Sequence, residues 1–193
     1  MSVCKYSLWV CPPSHSLAHA LLDGVISKFS SSLNTPRFPP HATLASPVYA
    51  ASDSSAIAQV TDYVKKLHEQ LGTDVVGNGI PVCVQRVATG IKFYQCVLLE
   101  ALGSDVLVAA NGVARGHWGV NRDVPVFYAH VSLVYGEFEG EELARVAERV
   151  GAGLPSDFEE SLSFVATEIR IIETVGSCDQ WRDIGGVSIT LDK

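Results

Sequence analysis

Residues 39–49 read PPHATLASPVY and residues 128–138 read YAHVSLVYGEF. Each stretch holds a histidine, a small or branched apolar residue, a hydroxyl residue and a leucine: His41-Ala42-Thr43-Leu44 and His130-Val131-Ser132-Leu133. Both read as strands, and in a strand successive side chains point to opposite faces. His41 and Thr43 therefore share one face, opposite Ala42 and Leu44. The same parity joins His130 to Ser132 and sets them opposite Val131 and Leu133. Each phrase offers an imidazole and a hydroxyl on one side and fastens itself to a core by the other. Two such strands lining a common cleft bring two imidazoles and two hydroxyls around one point.

That set of groups suits the opening of a cyclic phosphate ester. An unprotonated imidazole can take a proton from water attacking phosphorus, while a protonated one gives a proton to the departing sugar oxygen. Histidine, with an ordinary pKa of about 6.5, supplies both forms near neutrality. The hydroxyls donate to the non-bridging oxygens and hold the phosphorus in line. The scheme calls for no metal and no cofactor. A lone His-x-Thr in a strand reads more simply as a structural histidine. It is the repetition, in two apolar strands where an unpaired buried imidazole is costly, that favours chemistry.

The rest of the chain narrows the class. Its 193 residues, 47% hydrophobic and 18% charged, suffice for one packed domain spanning 1–193, with no linker that would divide it. No apolar run reaches the roughly 18 residues of a membrane span, and the N-terminal MSVCKYSLWVCPPSH lacks the continuous apolar segment of a secretory signal. A soluble intracellular protein, cytoplasmic or organellar, is expected, with a monomer as the default. The five cysteines are odd in number and form no CxxC pair, which fits neither a disulfide framework nor a zinc ribbon. A net charge of −7 disfavours stable binding of long nucleic acid, but allows a small anionic ligand in a local basic pocket.

Periodicity predicts an α+β fold with antiparallel sheets. A strand over 5–11 ends at Pro12-Pro13, and Ser14 caps a helix carrying Ala18, Leu21, Leu22, Val25 and Phe29 on one stripe. After the first histidine strand, Ser52 or Asp53 caps a helix with Ile57, Val60, Val64, Leu67 and Leu71 aligned, ended by Gly72. Strands at 81–88 and 92–100 are expected around a turn at Thr89-Gly90. Helices follow at 103–115 and 141–150, the second stopped by Gly151. Strands close the chain at 159–165, 168–174 and 181–190. The recurrence of the histidine strand before a helix suggests two related lobes sharing a cleft.

The paired phrases resemble the H-x-[ST]-x motifs of the 2H phosphoesterase superfamily. Four stretches, YSLWVCPP, TPRFPPHATLAS, RVATGIKFYQCVLL and YAHVSLVYGE, resemble in order those of the plant and fungal cyclic nucleotide phosphodiesterases. The resemblance spans about residues 5–137. It implies two pseudo-symmetric lobes, each an antiparallel sheet lining a central cleft with helices outside. It also implies hydrolysis of ADP-ribose 1″,2″-cyclic phosphate, a by-product of tRNA splicing, to ADP-ribose 1″-phosphate, and of nucleoside 2′,3′-cyclic phosphates to 2′-phosphates. His130 becomes the water-activating base, His41 the leaving-group acid, and Thr43 and Ser132 the phosphate-binding hydroxyls. Tyr135 is implied as a further phosphate contact. Alternation from His130 puts Tyr135 on the opposite face, so this role requires a bend or bulge in its strand.

Tyr6, Trp9, Phe93 and Tyr94 lie in strands that the resemblance places near the cleft, where Trp9, Phe93 or Tyr94 could contact a base or ribose. Trp9 reads as readily as core. Arg37, Arg115 and Arg122 flank the two phrases and could steer a phosphate. His15 and His19 have the i, i+4 spacing of a metal pair without a third ligand, and read with His68 and His117 as surface residues. Cys11 and Cys96 read as buried structural thiols. Two other functions compete: an RNA-end phosphodiesterase or 2′-5′ RNA ligase of the same superfamily, and a non-catalytic nucleotide-phosphate binding module.

Overall fold

A computed structural model describes residues 3–101, 104–119 and 127–190. Its elements in chain order are β1 (Cys4–Val10), α1 (Leu17–Leu33), β2 (Ala42–Ala50), α2 (Asp53–Leu71), α3 (Thr73–Val76), β3 (Ile80–Val82), β4 (Arg86–Thr89) and β5 (Val97–Glu100). They continue with α4 (Asp105–His117), β6 (His130–Val134), α5 (Gly140–Ala152), α6 (Phe158–Ser161), β7 (Phe164–Ala166), β8 (Glu168–Glu173) and β9 (Arg182–Ser188). The fold is α+β, and the described strand pairs are all antiparallel.

Seven strands form one sheet in the order β4-β5-β6-β2-β1-β8-β9, and β3 pairs with β7 in a small second sheet. A separate sheet for each half was expected. Instead the two histidine strands, β2 and β6, are neighbours at the middle of a continuous sheet. They are bridged at a single pair, Ala42 with Val131. Beyond that pair β2 parts from β6, and α4 docks on β2 there through the buried Asn111 amide, which donates to the Leu44 carbonyl at 2.7 Å.

Alternation divides the two faces as the parity of the sequence requires. Tyr6, Leu8, Val10, Ala42, Leu44, Val97, Leu99, Val131 and Leu133 enter one core with helix residues such as Leu22, Ile26, Val60, Tyr63, Leu107 and Val150. α1 and α5 lie against β4–β6, and α2 lies against β2, β8 and β9. Lys5, Ser7, Trp9, Thr43, His130 and Ser132 are left for the other face. Tyr6 is therefore core, with its hydroxyl donating to Asp53, rather than a cleft residue.

Several local boundaries moved for identifiable reasons. Ser16, two residues beyond Ser14, caps α1 by accepting from the His19 amide, and Asn34 ends the helix in the left-handed conformation. Ser52 caps α2 and Gly72 closes it, as expected, but Ile57 faces outward while Ala56 and Tyr63 take the buried stripe. α5 runs to Ala152 and is closed by Gly153. The expected strand over 81–88 breaks because the chain changes sheets. The Cys83 and Val84 amides leave the ladder and donate to the hydroxyls of Ser104 and Ser163. A helical turn, α6, takes the first half of the expected strand at 159–165.

The expected hairpin at Thr89-Gly90 is a longer connection containing a 3-10 turn at Phe93–Gln95. Gly90 is needed there, since a Cβ would sit 2.5 Å from the Gln95 carbonyl oxygen. That turn, and a second at Cys178–Gln180 between β8 and β9, rise beside the face that the core leaves free.

Candidate active site

A cavity of about 1000 Å³ opens on that face and is lined by His41, Thr43, His130 and Ser132. Its size lies at the upper end of small-molecule sites. The bridge between Ala42 and Val131 explains why the four side chains meet. Opposed residues of an antiparallel pair share a face, and alternation turns His41 and Thr43 on one strand and His130 and Ser132 on the other to the opposite face. The two phrases thus present both imidazoles and both hydroxyls to one cavity.

Both imidazoles are held in the same way. His41 Nδ1 lies 2.7 Å from the Pro39 carbonyl, and His130 Nδ1 lies 2.7 Å from the Tyr128 carbonyl. A carbonyl can only accept, so each Nδ1 carries the proton and each neutral ring keeps its lone pair on Nε2. An aromatic ring backs each imidazole. Trp9 stacks on His41 with centroids 3.5 Å apart and planes at 7°, and Tyr128 lies over His130 at 5.6 Å and 26°. Trp9, cross-strand partner of Thr43, is thus part of the cleft wall, not of the main core, although only 3% of it is exposed.

The hydroxyl and phenol positions were less legible. Ser132 Oγ donates to the Tyr94 carbonyl at 2.9 Å, so its proton must turn before it can reach a phosphate. Tyr135 lines the cavity because β6 is bulged: Val97 pairs with Val134 but Leu98 pairs with Ser132, two residues of β6 against one of β5. The Tyr135 hydroxyl sits 3.5 Å from His41 Nε2, and its ring stacks on Phe38 at 3.6 Å. Tyr94 lines the cavity, whereas Phe93 packs against the core.

Of the three flanking arginines, Arg115 lines the cavity, and Arg37 is engaged with Asp23 on the surface. Arg122 lies outside the described residues. Lys5 and Lys92 supply further cations at the cavity wall. Lys5 and Ser7 could have been found by extending the parity of Trp9 along β1. Trp118, Thr174 and Trp181 also line the cavity, and no local motif marked them. His68 is not a free surface residue, since its Nε2 bonds the Ile189 carbonyl at 2.8 Å, and His117 ends α4 against Tyr63 and Trp118. Cys96 is buried, and burial pushes the Cys11 thiol up to about 12. Among the described residues, no three His, Cys, Asp or Glu side chains come together as a metal ligand set.

Burial dominates the electrostatics. His41, 4% exposed, has its pKa pushed down to about 3 by desolvation. The Pro39 carbonyl opposes that shift, and nearby His130 adds to it. His130 is lowered by desolvation too, opposed by the Tyr128 carbonyl and assisted by Lys92. Both rings are therefore neutral at pH 7. For stability the sign follows directly. A folded-state pKa below the unfolded value means that the folded protein binds fewer protons, so the contribution is complete above about pH 6.5 and is lost as pH falls toward 3. Between pH 6.5 and 4.5 the wild type is expected to lose about 2–3 kcal/mol through His41 alone. Urea unfolding of the wild type and of His41→Gln over that window checks this. Equal slopes for the two would refute the assignment.

A family model described as cyclic phosphodiesterase-like protein matches residues 4–189. The chain belongs to this family. With it the chain joins the 2H phosphoesterase superfamily. Among relatives of the cyclic phosphodiesterase-like family, the cyclic phosphodiesterase of Arabidopsis thaliana is 28% identical over 171 residues, covering 88% of this chain and 84% of its own. In three dimensions the chain resembles E. coli LigT complexed with NADP+. The TM-score is 0.59 and the identity 12%, over 98% of this chain and 100% of that one. It also resembles Kluyveromyces marxianus Usb1, with a TM-score of 0.51 and 11% identity over 97% and 98%. At such identities the likeness to the two structures is one of fold.

Proposed function

We propose that the protein is a cyclic phosphodiesterase that hydrolyses nucleoside 2′,3′-cyclic phosphates to 2′-phosphates and ADP-ribose 1″,2″-cyclic phosphate to ADP-ribose 1″-phosphate. The observation that carries the reading is the pair of Nδ1-anchored imidazoles, on adjacent strands, whose lone pairs lie on Nε2 within one nucleotide-sized cavity. His130 acts as the base that deprotonates the attacking water, and His41 protonates the departing sugar oxygen. Thr43 and Ser132 donate to the non-bridging phosphate oxygens, with Tyr135 beside them.

The unequal burial of the two rings sets a condition on this division: His41, the more deeply buried, is the harder to protonate at rest. His41 gains a proton only when the phosphodiester anion enters and offsets the desolvation. Once protonated there, it is the stronger acid toward the leaving oxygen. His130, less buried, is the stronger base toward water. The matching anchors, each from Nδ1 to the carbonyl two residues earlier, also support reading the two halves of the sheet as related lobes that meet at the bridge between Ala42 and Val131.

The net charge of −7 suits a small nucleotide better than a long polynucleotide. Five free thiols suit a reducing, intracellular compartment. Incubation with nucleoside 2′,3′-cyclic phosphate in EDTA, followed by identification of the product, tests the reading. A 2′-phosphate is expected. A 3′-phosphate, or no turnover of either cyclic phosphate, would overturn it.

A further inference from the structure

The cross-strand row that carries His130 also holds a buried charge to which the proposed reaction assigns no part. Arg86 pairs with Glu100 and Glu100 pairs with His130, so the three side chains stand side by side on one face of the sheet. Glu100 is 5% exposed. Arg86 Nε donates to its Oε2 and the Tyr128 hydroxyl donates to its Oε1. These two bonds, Arg86 foremost, hold the carboxyl below its ordinary range, so it is an ionised acceptor.

Tyr128 in turn touches His130 twice, through its carbonyl to Nδ1 and through its ring. The next carbonyl, that of Ala129, accepts from the Ala101 amide at 2.9 Å. The main chain at Tyr128 is thereby fixed from its own side chain and from the following peptide.

Stability alone does not account for a carboxylate here. Its cationic partner is 68% exposed along the side chain, and an ion pair of that kind contributes little. Desolvating the carboxylate costs more than placing a leucine or valine in the same strand position. What a carboxylate supplies and leucine does not is an acceptor for the Tyr128 hydroxyl.

We infer that Glu100 and Tyr128 are positioning residues for His130: Glu100 anchors Tyr128, and the anchored Tyr128 fixes the plane and the Nδ1–H tautomer of the imidazole, aiming Nε2 at the phosphate. His41 is held by equivalent contacts from different parts, the Pro39 carbonyl and the Trp9 ring. Proline is rigid by itself, whereas a tyrosine that is 38% exposed needs an anchor. The catalytic part of this role rests on His130 being the proposed base, but the tautomer does not.

Tyr128→Phe deletes only the hydroxyl. It is expected to lower kcat for nucleoside 2′,3′-cyclic phosphate about 10-fold with KM nearly unchanged, less than the ~100-fold that a full ångström of misplacement can cost. The ¹⁵N signals of the His130 ring are expected to move from a single Nδ1–H pattern toward averaged tautomers. Glu100→Gln, which keeps an acceptor oxygen, should retain more of kcat than Glu100→Leu. An unchanged kcat and nitrogen pattern in Tyr128→Phe, whatever its melting temperature, would overturn the inference. If no form of the protein turns over cyclic phosphate, the proposed activity fails and the nitrogen pattern alone decides the positioning.

Discussion

Replacing His41 or His130 with alanine is expected to lower kcat/KM for nucleoside 2′,3′-cyclic phosphate by about 10²–10⁴-fold each. Acid and base act in one proton-transfer sequence around one phosphorus, so their losses should not add. The double variant is expected to be little worse than the worse single one. The two substitutions differ in their structural consequence. His130 is half-buried at the cavity wall, and its removal should leave the melting temperature close to that of the wild type. His41 is buried beneath Trp9, so His41→Gln is the better control for folding. It keeps most of the volume and loses the titrating ring. Steady-state kinetics with thermal melts of all four variants provide the check. A single variant that retains more than about a tenth of wild-type activity would remove that histidine from the reaction.

Trp9→Ala is expected to cost about 3–5 kcal/mol of stability, the range for truncating a large buried aromatic side chain. At roughly 2–4 °C per kcal/mol for a chain of this size, that is a fall of about 10 °C in melting temperature. The indole is enclosed by His41, Trp181 and Ser7, whose hydroxyl accepts from Nε1 at 2.8 Å. Its loss also opens His41 to water. Desolvation is the largest cause of the depressed His41 pKa, so that pKa should climb back toward its ordinary value in Trp9→Ala. The pH-dependent loss of stability through His41 should shrink with it. Trp9→Phe, which keeps an aromatic face, is expected to lie between the wild type and Trp9→Ala in both respects. NMR titration of the His41 ring measures the shift directly. A stable Trp9→Ala variant with an unmoved His41 titration would contradict the role assigned to the stack.

Much of the fold could be read locally because its signals are local. Ser52 and Gly72 frame α2 through their own backbone and side-chain chemistry. The stripe on α1 appears as Ala18, Leu22, Val25 and Phe29 because helical periodicity requires it. The strand at 81–88 failed for the opposite reason. Its break at Cys83 and Val84 depends on two serine hydroxyls 21 and 79 residues away, which no local window contains. Ile57 also fitted the helical pattern, but the packing partners that α2 found favoured Ala56 and Tyr63 instead.

The site divides along the same line. Side-chain parity within a strand is a property of the backbone, so the partnership of His41 with Thr43, and of His130 with Ser132, was determined by the sequence. It also required a bulge if Tyr135 was to reach the cleft. Tertiary structure decided how the two phrases meet: one bridge, Ala42 to Val131, joins the two strands and turns the four side chains into one cavity. It decided that Trp9 covers His41 and that Glu100 holds Tyr128, contacts made across strands rather than along them. It also decided how far each imidazole is depressed, because desolvation depends on everything packed around a ring and not on its neighbours in the chain.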